Sequence, residues 1–226
     1  MRILVTGSNS GLGLAIAHSL SKDGHDVIPF DKALKQDVCD PDFEYLRAVS
    51  EKGLDGLINC AGINHNAWFE DISPFKLQQV MTTNAFSFVY MTQGVLEGLK
   101  KSKGFVINIV SNAAHIPMTA SLAYNASKAA ALMITKQMAH ELTPRHGITV
   151  LSVSPNKLRG TNMSRQIESD VVRVRGWTPE YAAEYQKKAL MHGLETEPRD
   201  VANFISNLVT TGQYKYMSGC DIPFGK

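Results

Sequence analysis

The chain has little cysteine: three residues, at positions 39, 60 and 220, with no C-x-x-C spacing. An odd, scattered set builds no disulfide framework and points to a reducing, cytoplasmic setting. No apolar run approaches the roughly 20 residues a bilayer span needs, and no charged-then-apolar leader precedes the first strand pattern, so no membrane association is expected. The net charge is only +2 and no block of lysine or arginine is present, so no nucleic-acid partner is expected. The seven histidines lack spacings such as H-E-x-x-H, and no metal site is expected. There is no internal repeat and no low-complexity segment. What remains is an ordinary globular composition, 44% hydrophobic and 19% charged over 226 residues, enough for one large α/β core. A single domain, 1–226, is expected.

The most informative stretch is the first. Ile3, Leu4 and Val5 form a short β-branched run of the kind found in strands buried on both faces. Thr6-Gly7-Ser8-Asn9-Ser10-Gly11-Leu12-Gly13 follows, and then Leu14, Ala15, Ile16, Ala17 and Leu20 at helical spacing. The first glycine lets the chain turn off the strand, and the others let backbone approach a ligand or a neighbouring strand. A helix starting here directs free N–H groups and its positive dipole end at the loop, which suits a pyrophosphate. A tight turn without a ligand is the plainer alternative.

The rest alternates strand and helix. Asp26 to Phe30 reads as a second strand containing Pro29 and ending at Asp31, an acidic residue placed to accept hydrogen bonds from an adenosine ribose. Its charge would repel a 2′-phosphate, so NAD is favoured over NADP; the alternative is an ordinary surface pair of Asp31 and Lys32. Residues 41–52 read as a helix with Pro41 in its first turn and Phe43, Leu46 and Val49 on one face. Leu54 to Asn59 is a strand running into Cys60-Ala61-Gly62, whose small residues leave room for a ligand across the sheet edge. One long helical stretch is expected from Pro74 to about Lys101, with Asn84 inside it. Phe105 to Ser111 is a strand, Ser121 to Thr143 a helix ending before Pro144, and Ile148 to Val153 a strand. Residues 156–197 are longer than a βα connection and carry a helix around Pro179–Met191. A last helix, Arg199 to Val209, and a last strand, Gly219 to Phe224, complete the pattern.

Tyr124 and Lys128 are four apart, so on a helix they share a face. Ser111, thirteen residues before Tyr124, closes a strand aimed toward the same place. A neighbouring ammonium favours phenolate over phenol and is expected to lower the Tyr124 pKa. Such a tyrosine can protonate a developing alkoxide or deprotonate an alcohol, with the Ser111 hydroxyl on the same oxygen. A surface Tyr–Lys pair is the plainer alternative, which the glycine loop and Ser111 argue against.

Taken together, these residues resemble the short-chain dehydrogenase/reductase family over nearly the whole chain. Thr6-Gly7-x-x-x-Gly11-x-Gly13 is similar to its cofactor loop, Asn59-Cys60-Ala61-Gly62 to its N-N-A-G, and Ser154-Pro155-Asn156 to its S-P-G. Ser111, Tyr124 and Lys128 stand at its catalytic spacing, with Asn84 matching the helix asparagine of its tetrad. The resemblance implies a single-domain Rossmann fold, a doubly wound and mostly parallel sheet with helices on both faces. It also implies an NAD(P)-dependent oxidoreductase interconverting a small alcohol and its carbonyl form. Tyr124 would be the general acid/base, Ser111 would orient the substrate oxygen, Lys128 would hold the nicotinamide ribose, and Asn84 would hold a water in a proton relay. The cofactor is assigned to Gly7, Ser10, Gly11, Leu12 and Gly13; Asp31; Asp37 and Val38 beside the adenine; Asn59, Ala61 and Gly62; Tyr124 and Lys128; and Pro155, Leu158 and Thr161. A homodimer or homotetramer, paired through the helices of Asn84 and Tyr124, is likewise implied. Phe86, Phe88, Val89 and Tyr90 there give apolar residues around much of one helix.

The chain departs from that pattern in places. Asp37 follows Asp31 by only six positions, where the family usually places a helix and a third strand, so a reduced wall on the adenine side is expected. Asn156 replaces the usual glycine and Leu151 the usual asparagine, and Thr161 falls one residue late. Segment 156–197 is expected to form the lid over the substrate. Its Lys157, Arg159, Arg165, Arg173, Arg175, Lys187 and Lys188 fit a solvated face first and an anionic substrate second. Two function classes follow: an active oxidoreductase, and a catalytically silent nucleotide-binding protein of the same fold. The complete quartet Asn84, Ser111, Tyr124 and Lys128 argues for the first.

Overall fold

β1 (Arg2–Thr6) lies inside a six-stranded, wholly parallel sheet of order β2-β1-β3-β4-β5-β6, in a computed structural model describing residues 1–188, 190 and 192–225. The other strands are β2 (Asp26–Phe30), β3 (Gly56–Asn59), β4 (Phe105–Ile109), β5 (Thr149–Pro155) and β6 (Asp221–Phe224). Alternation sorts their side chains into two layers, because successive Cβ atoms point to opposite faces. Ile3, Val5, Ile58, Ile107, Leu151 and Val153 pack under α1 (Gly11–Lys22) and α9 (Pro198–Thr210). Leu4, Leu57, Val106 and Val150 pack on the other face, under α2 (Phe43–Glu51), α4 (Ser87–Gly94), α5 (Leu96–Ser102) and α6 (Leu122–His146). A parallel sheet covered on both faces needs apolar residues at every position, which is why its strands read as continuous apolar runs. This is the doubly wound Rossmann arrangement.

The chain leaves β1 for β2 on one side and later crosses to β3 on the other. Strand order therefore reverses between β1 and β3, and the crevice beyond their C-terminal ends is where such sheets take ligands. Among the described residues no strand lies beyond β2. The connection from Asp31 to Asp42 is a single 3₁₀ turn (Lys32–Leu34) and a loop, so the expected reduction of that wall is present. Pro29 costs no ladder bond there: Phe30 accepts from the Gly7 amide at 2.9 Å, which turns Pro29 to the outer edge.

Four expectations need correction. The stretch from Pro74 is not one helix. α3 (Pro74–Met81) passes into a π turn at Thr82–Phe86 before α4, and α5 starts afresh at Leu96. α6 does not stop before Pro144 but runs through it to His146, since a proline in the last turn forfeits only one bond. Gly147 closes the helix with φ +71°, its amide donating to Thr143 O at 2.9 Å. In α2 the N-cap is Asp42, so Pro41 lies outside the helix, and Phe43 is exposed while Leu46 and Val49 are buried. Phe88 is buried, leaving Phe86 as the outward ring of that segment. After β5 come α7 (Asn162–Arg175) and α8 (Pro179–Lys188); Ala189 and Met191, at the end of the expected helix, lie outside the described residues.

Candidate active site

The glycine loop closes the crevice from below. A Cβ on Gly7, at φ +67°, would sit 2.9 Å from the Ala61 Cα, and one on Gly13 would sit 2.1 Å from Gly7 O, so both are needed for backbone packing. Thr6 fixes the facing strand end, its hydroxyl accepting from the Cys60 and Ala61 amides at 2.9 and 3.1 Å. Gly11 is different: its open side meets only the Thr161 side chain, at 3.8 Å. Ser10, the N-cap of α1, makes no side-chain cap bond, and the first turn carries no acid. The Ser8 hydroxyl is buried without a partner. Uncapped amides, an open glycine and an orphaned hydroxyl suit the pyrophosphate of a dinucleotide.

At the end of β2, Asp31 ties two turns together: one carboxylate oxygen accepts from the Asn9 amide at 3.1 Å, the other from Ala33 at 2.9 Å. Lys32 pairs with Asp37 at 3.0 Å rather than with Asp31. Burial pulls Asp37 upward, but the Cys39 amide and the Lys32 ammonium outweigh it, holding the carboxyl below its ordinary range. The Val38 side chain is in the core, leaving only its backbone for a ligand. The Asn59 side chain is likewise turned inward, donating to Asn108 at 2.9 Å, and Asn108 donates to Thr135. Neither side chain joins the crevice.

Four residues converge on the other side of it. Asn84, on the π turn, is fully buried. Its amide donates to Ile63 O and Ser127 Oγ, and its oxygen accepts from Ile63 N, all at 2.9 Å. Ser127 in turn donates to Tyr124 O at 2.8 Å, so it links Asn84 to the tyrosine's turn of helix. Nothing in the sequence singles out Ser127 or Ile63. Lys128 is buried and donates to Ile109 O at 2.8 Å, with Nζ 5.8 Å from the centroid of the Tyr124 ring. A Cβ on Gly62 would lie 3.3 Å from Asn84 Oδ1 and 3.9 Å from Lys128 Nζ, so this glycine keeps the approach clear. Ser111 starts the turn after β4, accepting from Ala113 N at 3.2 Å, and its hydroxyl lies beside that of Tyr124.

The electrostatics differ from the expectation. Burial pushes the Tyr124 phenol up, more than the hydrogen bond from Ser111 pulls it down. Burial lowers Lys128 to about 8 and pushes the neighbouring Cys60 thiol up to about 12. The ammonium does not lower the tyrosine because it faces the Ile109 carbonyl in a site that disfavours every charge.

The far wall is segment 156–197. Pro155 ends β5, and Asn156 N donates to Phe224 O at 2.9 Å, joining the wall to the edge strand. Leu158 bridges Thr196, and Thr161 caps α7, accepting from Ser164 N at 3.0 Å while its side chain faces Gly11. At the other end of α7, Trp68 Nε1 donates to Val174 O at 2.8 Å and Arg175 donates to Thr119 O. Ala120 is held at φ +53°, a strained value for a residue with a Cβ. Its carbonyl accepts from Ala67 N at 3.0 Å and from Asn66 Nδ2 at 3.2 Å.

The family model described as short chain dehydrogenase matches residues 44–172, more than half of the chain. The vibriobactin-specific 2,3-dihydro-2,3-dihydroxybenzoate dehydrogenase of Vibrio cholerae serotype O1 is 28% identical over 244 positions, covering 92% of this chain and 88% of that protein. The crystal structure of NAD+-bound xylitol dehydrogenase superposes with a TM-score of 0.89 at 20% identity, covering 100% of this chain and 98% of the other. An actinorhodin polyketide ketoreductase variant with NADPH gives 0.85 at 24% identity, covering 98% and 94%. These superpositions establish a shared fold.

Proposed function

Because the chain belongs to the short-chain dehydrogenase family of NAD(P)-dependent oxidoreductases, we propose that it interconverts a small secondary alcohol and its ketone, with Tyr124 as the general acid/base. The observation that carries this reading is the hydroxyl pair of Ser111 and Tyr124, set beside the buried Lys128 ammonium. The dinucleotide supplies or accepts the hydride. Tyr124 gives its proton to the oxygen on which negative charge develops, and its raised pKa keeps it protonated until then. Ser111 holds the same oxygen by a second hydrogen bond. Lys128 would hold a ribose hydroxyl of the bound dinucleotide, and a proton passed from solvent through that hydroxyl would return to the phenolate. Both amide hydrogens of the Asn84 side chain are engaged by Ile63 and Ser127, so a relay water would bind an oxygen of this residue, on its main chain or its side chain.

The pyrophosphate belongs at the uncapped start of α1, over Ser10, Gly11, Leu12 and Gly13, and the adenosine ribose at Asp31. NAD(H) is preferred, since a 2′-phosphate would meet the Asp31 carboxylate while Lys32 is turned to Asp37. Segment 156–197 is the lid, joined to the loops around Trp68 and Thr119. The test is a panel of alcohols and ketones with NAD(H) and NADP(H), followed at 340 nm. Turnover that vanishes in Tyr124→Phe supports the reading; dinucleotide binding with no turnover on any substrate refutes it in favour of a silent binding protein.

A further inference from the structure

The lid carries several cations, and most are accounted for. Lys157 meets Glu168 and Glu195 at 2.9 and 2.5 Å, Arg159 meets Glu197 at 3.1 Å, Arg173 meets Asp170 at 2.8 Å, and Lys188 meets Glu184 at 2.7 Å. Arg165 and Lys187 have no acidic partner among the described residues, but both are exposed, so water solvates them. Arg175 is different. It is half-buried, it has no carboxylate partner among the described residues, and its Nε is buried with no hydrogen-bond acceptor. Its other contacts are neutral: the Thr119 carbonyl and the face of Trp177, whose centroid lies 4.8 Å from the guanidinium carbon.

The position of that cation matters as much as its isolation. Thr119 and Ala120 lead directly into Ser121 and the first turn of α6, which carries Tyr124. The adjacent loop, joined to Ala120 through Ala67 and Asn66, leads back to Gly62 and Ile63 beside Asn84. Arg175 therefore closes the junction where the lid meets both loops of the crevice. Burying a charged group without a counter-charge is unfavourable, and the burial pulls the Arg175 pKa down. A guanidinium whose Nε–H is free beside a partly used Nη offers a side-on fork, matched to the two oxygens of a carboxylate.

Resting on the reading of this site as an alcohol–ketone oxidoreductase, we propose that its substrates carry a carboxylate and that Arg175 binds it. The bound anion supplies the missing counter-charge and accepts the orphaned Nε–H. A neutral ketone would leave both unmet, so the same residue discriminates against uncharged analogues.

The probes are 3-oxobutanoate, 4-oxopentanoate and 5-oxohexanoate, each beside its methyl ester. Because Arg175 stacks on Trp177, intrinsic fluorescence reads occupancy without turnover. At least one oxo acid should change the emission saturably, with its ester at least 10-fold weaker. In Arg175→Gln that preference should fall to within about 2-fold, with NADH binding and the circular dichroism spectrum unchanged; Arg175→Lys should restore part of it. Trp177→Phe should lose the emission change yet keep the acid-over-ester preference in calorimetry. Equal titration by acids and esters, or a preference that survives in Arg175→Gln, overturns the proposal. Acid-selective binding without reduction of any probe leaves the anion site standing and counts against the oxidoreductase reading; reduction of acid and ester with equal KM does the reverse.

Discussion

The side-chain amide of Asn84 closes a two-bond ring on the backbone of Ile63, donating to its carbonyl and accepting from its amide, both at 2.9 Å. A third bond reaches Ser127 on α6. One residue thus joins the loop after β3 to the helix of Tyr124 and Lys128. Asn84→Ala should destabilise the protein by about 1–3 kcal/mol for each buried partner it leaves unsatisfied, and should lower turnover with it. Asn84→Asp keeps the acceptor but sets a buried carboxylate oxygen against the Ile63 carbonyl, so it should destabilise at least as much as Asn84→Ala. Urea midpoints and kcat for the three proteins check this; an unchanged midpoint in Asn84→Ala would remove the clamp from the account.

Tyr124→Phe removes one oxygen and keeps the ring, so packing should hardly change. NADH binding should survive while kcat falls by about 10²–10⁴-fold, the usual worth of a general acid. Lys128→Met should also weaken NADH binding, because the ammonium serves the ribose as well. Retention of more than about a tenth of the activity in Tyr124→Phe would exclude the acid/base role.

The buried lysine predicts a pH dependence of stability. Lys128 has a folded-state pKa of about 8 against 10.5 for an ordinary lysine. Between those values the unfolded chain binds more protons than the folded one, so stability rises with pH there. Tyr124 acts oppositely above about pH 10, where its raised pKa keeps a proton on the folded state and stability falls with pH. The Cys60 thiol, pushed up to about 12, keeps its proton in the folded state and opposes the lysine above about pH 9, so the ligand-free protein should show a rising denaturation midpoint from about pH 8 to about pH 9, and Lys128→Met should flatten that rise. An equal slope in both proteins would refute the assignment.

Cofactor choice is checked by calorimetry. NADH should bind more tightly than NADPH, and Asp31→Ala should narrow the gap. That variant should also loosen the turn, since Asp31 accepts from the Asn9 and Ala33 amides. Tighter binding of NADPH by the unaltered protein would reject the role given to Asp31.

Assembly through α4 and α6 is expected, because Phe86, at the end of the π turn that leads into α4, and Met133, on α6, stand 40% and 63% exposed. A dimer or tetramer mass in light scattering, reduced by Met133→Lys, is the expected result. A monomer at micromolar concentration would sink it.

The sheet was legible because each buried strand is a short apolar run ended by glycine or a small polar residue, as with Ile3–Val5 before Gly7. The short interval from Asp31 to Asp37 was enough to expect a reduced wall on the adenine side, where β2 is the edge strand of the sheet. The catalytic spacing of Ser111, Tyr124 and Lys128 was equally plain. What the sequence could not show depends on depth and direction. Lys128 does not acidify Tyr124, because its ammonium faces Ile109, and Asn59 turns inward to Asn108. The isolation of Arg175 depends on the fold: the other lid cations meet an acid or lie exposed to water, and it does neither.

The π turn at Thr82–Phe86 holds one residue more than an α-helix of the same rise would use. An α-helix turns by about 100° per residue, so α4 emerges out of phase with α3 by roughly that angle. The site thus carries an insertion as a permanent part. Deleting a single residue within 82–86 would let the two helices merge, and such a chain would gain regularity while Asn84 rotated off Ile63. Here local ideality and function pull against each other, so a substitution that makes this segment a better α-helix is the wrong way to stabilise the protein.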